Sequence, residues 1–142
     1  MKKYMFSFLL AAIASPAFAQ CELSVPSMGA LRYNTFDTID QVILMSGTVS
    51  CTLPTNVRIQ ASKGSSNTFN QRTFTSGPNR LNYNLYLGTS ETYIWGDGSA
   101  GSSEMGLAAN NNTPITANVR IPAGQNPPVG IYSDTLVFTL IF

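Results

Sequence analysis

The sequence predicts an all-β fold arranged as a two-layer sandwich, with a closed barrel as the alternative. Its apolar stretches are short and separated by clusters of Gly, Pro, Asn, Ser and Thr, and no stretch carries a helical period. The terminal run "IYSDTLVFTLIF" alternates strictly, placing Leu136, Phe138, Leu140 and Phe142 on one face. No proline or charge blunts that strand after Asp134. A long apolar strand at a sheet edge is an aggregation site that natural chains cover or blunt, so this one predicts a domain that another polypeptide completes.

The elements follow in order. Residues 1–19 open on Lys2 and Lys3, continue through the apolar run "YMFSFLLAAIA", and close on Ala17-Phe18-Ala19, the small-x-small pattern of a secretory cleavage site. The run is shorter than the ~20 apolar residues a membrane-spanning helix needs. Residues 20–142 then have a length that suits one domain with one core, undivided by repeat or linker. Expected strands are residues 22–25, 31–36, 42–51, 57–61, 81–87, 92–95, 115–121 and 131–142. In 42–51 ("VILMSGTVSC") the apolar residues do not alternate cleanly, so Ser46-Gly47 is expected to mark a bulge that re-phases the strand. Residues 62–79 suit a crossing between the two layers. Gly130-Ile131-Tyr132 opens the last strand in the manner of a tyrosine corner, whose phenol ties back to the backbone.

Cleavage after Ala19 leaves two cysteines, Cys21 and Cys51, and in an oxidising compartment such a pair reads as a disulfide. Closing that loop is worth roughly 3–4 kcal/mol on the chain-entropy estimate.

Several function classes recede on composition. Loss of Lys2 and Lys3 leaves a near balance of acid and base without a clustered basic run, hence no electrostatic footprint for nucleic acid or an anionic membrane. The chain has no histidine, so Ser-His-Asp and Cys-His arrangements and the usual zinc sites cannot be assembled from it. Asp97 and Glu104 are where a carboxylate pair for glycoside hydrolysis would be sought. The "WGDGSAG" context favours a turn, with Asp97 bonding local backbone and the glycines supplying positive φ. No spaced oxygen-ligand loop for calcium accompanies Asp97 or the asparagines at 110–112. No enzyme, cofactor or metal site is expected. Tyr93 and Trp95 alternate on one face and form a candidate aromatic platform for a sugar, the rival placement being a core tryptophan between the sheets.

Six segments in order resemble those of the spore coat protein U domain family, which includes pilins of archaic, Csu-type chaperone-usher systems. They are Cys21, "GALRYNTFD", "GTVSCT" around Cys51, "LNYNLY", "WGDG" and the closing "PPVGIYSDTLVFTLIF", with Met28-Gly29 where the family more often has Phe-Gly. The resemblance implies an immunoglobulin-like sandwich lacking its seventh strand. It implies a subunit held by a periplasmic chaperone, delivered to an outer-membrane usher, and joined to other pilus subunits by donor-strand complementation at the cell surface. Leu136, Phe138, Leu140 and Phe142 would then be the chaperone and donor-strand interface, with the Phe142 carboxylate anchored by a basic pair. Polymerising members carry a donor segment before the first cysteine, whereas cleavage here leaves only Gln20, which suggests a minor subunit at the fibre tip. The alternatives are a free secreted sandwich binding carbohydrate or a surface through Tyr93 and Trp95, and a coat protein that associates edge to edge.

Overall fold

A computed structural model describes residues 18–25 and 32–142. The expected segment at 1–19 therefore lies almost wholly outside the described residues, as does the start of "GALRYNTFD". Among the described residues eight strands are present: β1 (Cys21–Ser24), β2 (Gln41–Cys51), β3 (Thr55–Ala61), β4 (Arg72–Ser76), β5 (Asn79–Leu87), β6 (Met105–Ala109), β7 (Thr113–Ile121) and β8 (Phe138–Ile141). They form a five-stranded sheet, β1-β2-β7-β5-β4, and a three-stranded sheet, β6-β3-β8, in which every pairing is antiparallel. The two sheets make an immunoglobulin-like sandwich rather than a closed barrel.

Alternation puts one face of each long strand inside. Val49, Val57, Ile59, Leu81, Leu85, Val119 and Ile121 meet there and are fully buried. Trp95 ties the layers together. Its backbone N–H donates to Leu85 O at 2.9 Å in the large sheet, and its indole N–H donates to Ile59 O at 2.8 Å in the small one. The neighbouring Gly96 O accepts from Ala61 N at 3.1 Å. The segment at 92–95 is accordingly no strand: it makes isolated bridges, Tyr86 to Ile94 and Trp95 to Ser103.

β2 carries no bulge, contrary to expectation. Its register against β7 runs unbroken from Gln41 opposite Ile121 to Val49 opposite Thr113. The confusing apolar pattern has another cause, since Val42 and Leu44 point outward and are exposed while Ile43, Met45 and Val49 point in. Gly47 serves a close approach: a Cβ there would sit 2.5 Å from Ser24 O, so only glycine lets the end of β1 lie against β2.

Residues 32–36 form no strand, and Tyr33 is instead an anchor. Its hydroxyl donates to Pro122 O at 3.0 Å and accepts from Gln125 N at 2.9 Å. Two strands arise in stretches where none was expected. The crossing at 62–79 contains β4, and the Gly-rich stretch after Trp95 contains β6. Both are five residues long and carry little periodic signal.

Candidate functional site

The expected strand at 131–142 divides into two parts. Its start belongs to the large sheet, where Ser133 bridges Thr75 with bonds of 2.9 and 3.0 Å in both directions. The chain then crosses to the small sheet and becomes β8. The Tyr132 hydroxyl donates to Pro128 O at 2.7 Å at the head of this path, the back-bond of a tyrosine corner.

β8 has one partner among the described residues, β3, in the register Ala61–Phe138, Gln60–Thr139, Ile59–Leu140 and Arg58–Ile141. Which main-chain groups stay free follows from the bond that precedes the strand. Ser62 N donates to Val137 O at 2.9 Å, so 62 and 137 are a hydrogen-bonding pair. Antiparallel ladders alternate bonding and non-bonding pairs. Thr139 and Ile141 therefore direct their N–H and C=O at β3, whereas Phe138 and Leu140 direct theirs away, toward the open edge of the sheet.

The side chains of those same residues stand perpendicular to the sheet, on its core side. Leu136, Phe138 and Leu140 turn inward and pack against the core, Phe138 lying 5.0 Å centroid to centroid from Trp95. Across the opening lies β1, the edge strand of the large sheet, which touches β8 and contributes Cys21 and Leu23, with Val25 following. All six residues are only partly buried, although they face inward like the fully buried Val49 and Ile59. The seam between β1 and β8 thus offers half-covered apolar side chains and, among the described residues, main-chain groups without a strand partner along one line. Phe142, expected on this face, lies beyond the end of β8 and is exposed.

Cys21 and Cys51 stand directly opposite each other in the β1–β2 register and are joined by a disulfide. This bond holds the four-residue β1 at the rim of the opening. The aromatic platform does not form. Trp95 is buried at 1% exposure, while Tyr93 is 60% exposed, so the rings share no surface. A large ring beside a seam of apolar side chains is worth more inside than out.

Sequence reasoning missed the polar clamp that aims the chain into β8. Asp134 Oδ1 accepts from Ser65 N at 2.8 Å and Thr135 N at 2.9 Å, and its Oδ2 accepts from the Tyr83 hydroxyl at 2.6 Å. Gly64, at φ +65°, leaves the space that the Asp134 carboxylate occupies. Burial, followed by the bond to Asp134, raises the Tyr83 pKa. Beside it Arg72 is completely buried, with Nε and Nη2 donating to Ser62 O at 3.0 and 2.8 Å, Nη2 to Trp95 O at 2.6 Å, and Nη1 to Asn84 Oδ1 at 2.9 Å. Burial lowers the Arg72 pKa, an effect the neighbouring Tyr83 phenol and Asp134 carboxylate oppose. Nothing local in "QRTFTS" marks that arginine as interior, because its partners come from distant segments.

The two carboxylates weighed for catalysis are engaged otherwise. Asp97 accepts from the Ser99 hydroxyl and then from Ser99 N at 2.9 Å, which hold its pKa below the usual range, and Gly98 has φ +85°. Glu104 is held low by Gln60 and then by Arg58, whose Nη1 lies 3.1 Å away. Among the described residues no cluster of three or more potential metal ligands occurs.

Comparison with known proteins agrees with this geometry. The profile of the Spore Coat Protein U domain matches residues 9–139. Protein U of Myxococcus xanthus is 34% identical over 62 residues, covering 44% of this chain and 34% of that protein, so the match spans about a third of the relative's length. Among solved structures, the chain resembles one in the CsuC–CsuE chaperone–tip adhesion subunit pre-assembly complex of archaic chaperone-usher Csu pili from Acinetobacter baumannii. That likeness has a TM-score of 0.66 and 18% identity, and covers 88% of this chain and 40% of the other.

Proposed function

The chain belongs to the Spore Coat Protein U domain family, and from that premise we propose that it is a structural subunit of a chaperone-usher surface pilus. Its seam between β1 and β8 accepts a strand lent first by a periplasmic chaperone and then by a neighbouring subunit. The observation that carries this reading is the coincidence at Phe138 and Leu140 of outward main-chain groups with inward, half-covered side chains. An added strand would bond to the former and cover the latter, which is β-augmentation. The sandwich is then a binding and assembly module without catalytic function, in keeping with a sequence that has no histidine.

Export through the periplasm, removal of residues 1–19, delivery to an outer-membrane usher and display at the cell surface belong to the same proposal. So does tip placement, which rests on Gln20 alone preceding Cys21 after cleavage. Mass spectrometry of the exported protein tests that step, because a start well before Gln20 would restore a donor segment and remove the reason for the tip.

Co-export decides the main reading. A client of this kind is degraded or insoluble when made alone in the periplasm and is recovered as a one-to-one complex with its chaperone. Recovery as a stable monomer without a companion would defeat the proposal. The family name and the match to Protein U favour one rival, a coat protein that associates edge to edge. That protein would form homo-oligomers through β8 in the absence of any chaperone.

A further inference from the structure

The outer face of the five-stranded sheet carries a cavity of about 270 Å³, on the side of the sandwich opposite the small sheet and β8. Asn82 and Tyr86 of β5, Arg120 of β7, Gln71 just before β4 and Asp40 just before β2 line it. Its wall is built from within: Asn84 Nδ2 donates to Phe69 O and Asn70 O, both at 2.9 Å, which pins residues 69–71 against the sheet. The main chain of Asn82 is held on both sides by Gln125, which donates to its O at 2.9 Å and accepts from its N at 2.7 Å, leaving the Asn82 side-chain amide to the cavity.

The charges at the rim are already spent on each other. Arg120 Nε donates to Asp40 Oδ2 at 2.7 Å, its Nη1 donates to Glu91 Oε2 at 2.8 Å, and Asp40 Oδ1 accepts from Ala123 N at 2.8 Å. No free cation is left for an anionic ligand among the described lining residues. What the lining offers is carboxamides, each with a donor and an acceptor side by side, and a phenol whose ring is apolar and whose tip is polar. The volume lies just below the range of about 300–1,000 Å³ that takes drug-sized ligands and suits a single small ring.

We propose that this cavity binds a neutral polyhydroxylated ligand, one sugar residue of a glycan, with Gln71 and Asn82 bonding adjacent hydroxyls and Tyr86 covering the ring. The site goes beyond the assembly role and does not depend on it. Since β8 belongs to the other sheet, the cavity stays open when the seam is filled.

Saturation-transfer NMR on the full exported chain tests it, with its chaperone if one is needed for solubility. The probes are free mannose, galactose, glucose and N-acetylglucosamine, with glucuronate as the anionic counterpart. At least one neutral sugar is expected to receive saturation, with a dissociation constant of the order of 1 mM as befits so small a ligand. Asn82→Ala and Tyr86→Ala should each weaken binding about tenfold or more, a loss of roughly one buried hydrogen-bonded contact. Gln71→Ala, at an exposed position where folding is not at stake, should weaken it as well, and Tyr93→Ala should change nothing. Transfer to none of the neutral sugars, binding confined to glucuronate, or undiminished binding in all three cavity variants would overturn the proposal. None of these outcomes bears on strand capture at β8, and failure of capture leaves the cavity result standing.

Discussion

Replacing Phe138 with aspartate separates an interior that is sealed from one that waits for a strand. Phe138 packs on Trp95 yet is only half-covered. Truncating a fully buried phenylalanine costs about 3–5 kcal/mol, so losing a half-covered ring costs about 2 kcal/mol. In the free chain the new carboxylate can stay hydrated through the open edge, and Phe138→Asp should therefore melt only about 2–3 kcal/mol less stably than the parent. Once a strand closes the seam, the same carboxylate is buried without a partner, at an added cost of about 3–5 kcal/mol. Partner affinity should then fall by roughly two orders of magnitude or more. Phe138→Leu, which keeps the site apolar, should cost under about 1.5 kcal/mol and leave capture nearly intact. The assay is urea melting of each variant, paired with quantitative recovery of the chaperone complex after co-export. If Phe138→Asp is captured as well as Phe138→Leu, the seam is not where a strand enters.

The outward main chain of β8 can be probed apart from its side chains: Leu140→Pro removes an edge N–H that β3 does not use, and should weaken capture about fivefold or more beyond Leu140→Ala in the same recovery assay. Arg72→Met orphans the Ser62 and Trp95 carbonyls, at about 1–3 kcal/mol each, so it should destabilise the chain by about 3 kcal/mol in urea melts even though it removes a buried charge. A Gly47→Ala methyl would meet Ser24 O at 2.5 Å, and about 1–3 kcal/mol should be lost, with amide exchange accelerated along β1 and its β2 partners. The carboxylate of Asp40 is held low by Ala123 N–H and then Arg120, and that of Glu104 by Gln60 and then Arg58, from ordinary values of 3.8 and 4.5. Groups depressed in the fold stabilise it above their unfolded values and lose that contribution as pH falls through the folded ones. The melting temperature should accordingly be flat above about pH 5 and drop below it, and Asp40→Asn with Glu104→Gln should flatten the drop.

Much of this architecture was legible in the residues. Local alternation at 57–61, 81–87 and 115–121 marks strands because period two needs no distant information, and β3, β5 and β7 stand there. The tyrosine at 132 and the pairing of Cys21 with Cys51 were equally readable, one from its place at a strand head and the other from the count of thiols. The inward apolar face of Leu136, Phe138 and Leu140 followed from the strict alternation of the closing run. What failed did so for reasons of partnership. β4 and β6 are strands only because β5 and β3 lie beside them. The bulge expected at Ser46-Gly47 is absent and Val42 and Leu44 face outward, because the unbroken register with β7 outweighs two exposed side chains.

The residue order by itself determined that this chain is β-structured, stapled at Cys21 and Cys51, and that Leu136, Phe138 and Leu140 share one apolar face, since each of these follows from neighbours within a few positions or from composition. Only the folded molecule decided that Trp95 lies inside and Tyr93 outside, that Arg72 is buried against Ser62, Trp95 and Asn84, and that the last strand changes sheets between Ser133 and Phe138. Those outcomes depend on hydrogen-bond and packing partners up to dozens of residues away, whose energies exist only once the two layers have met.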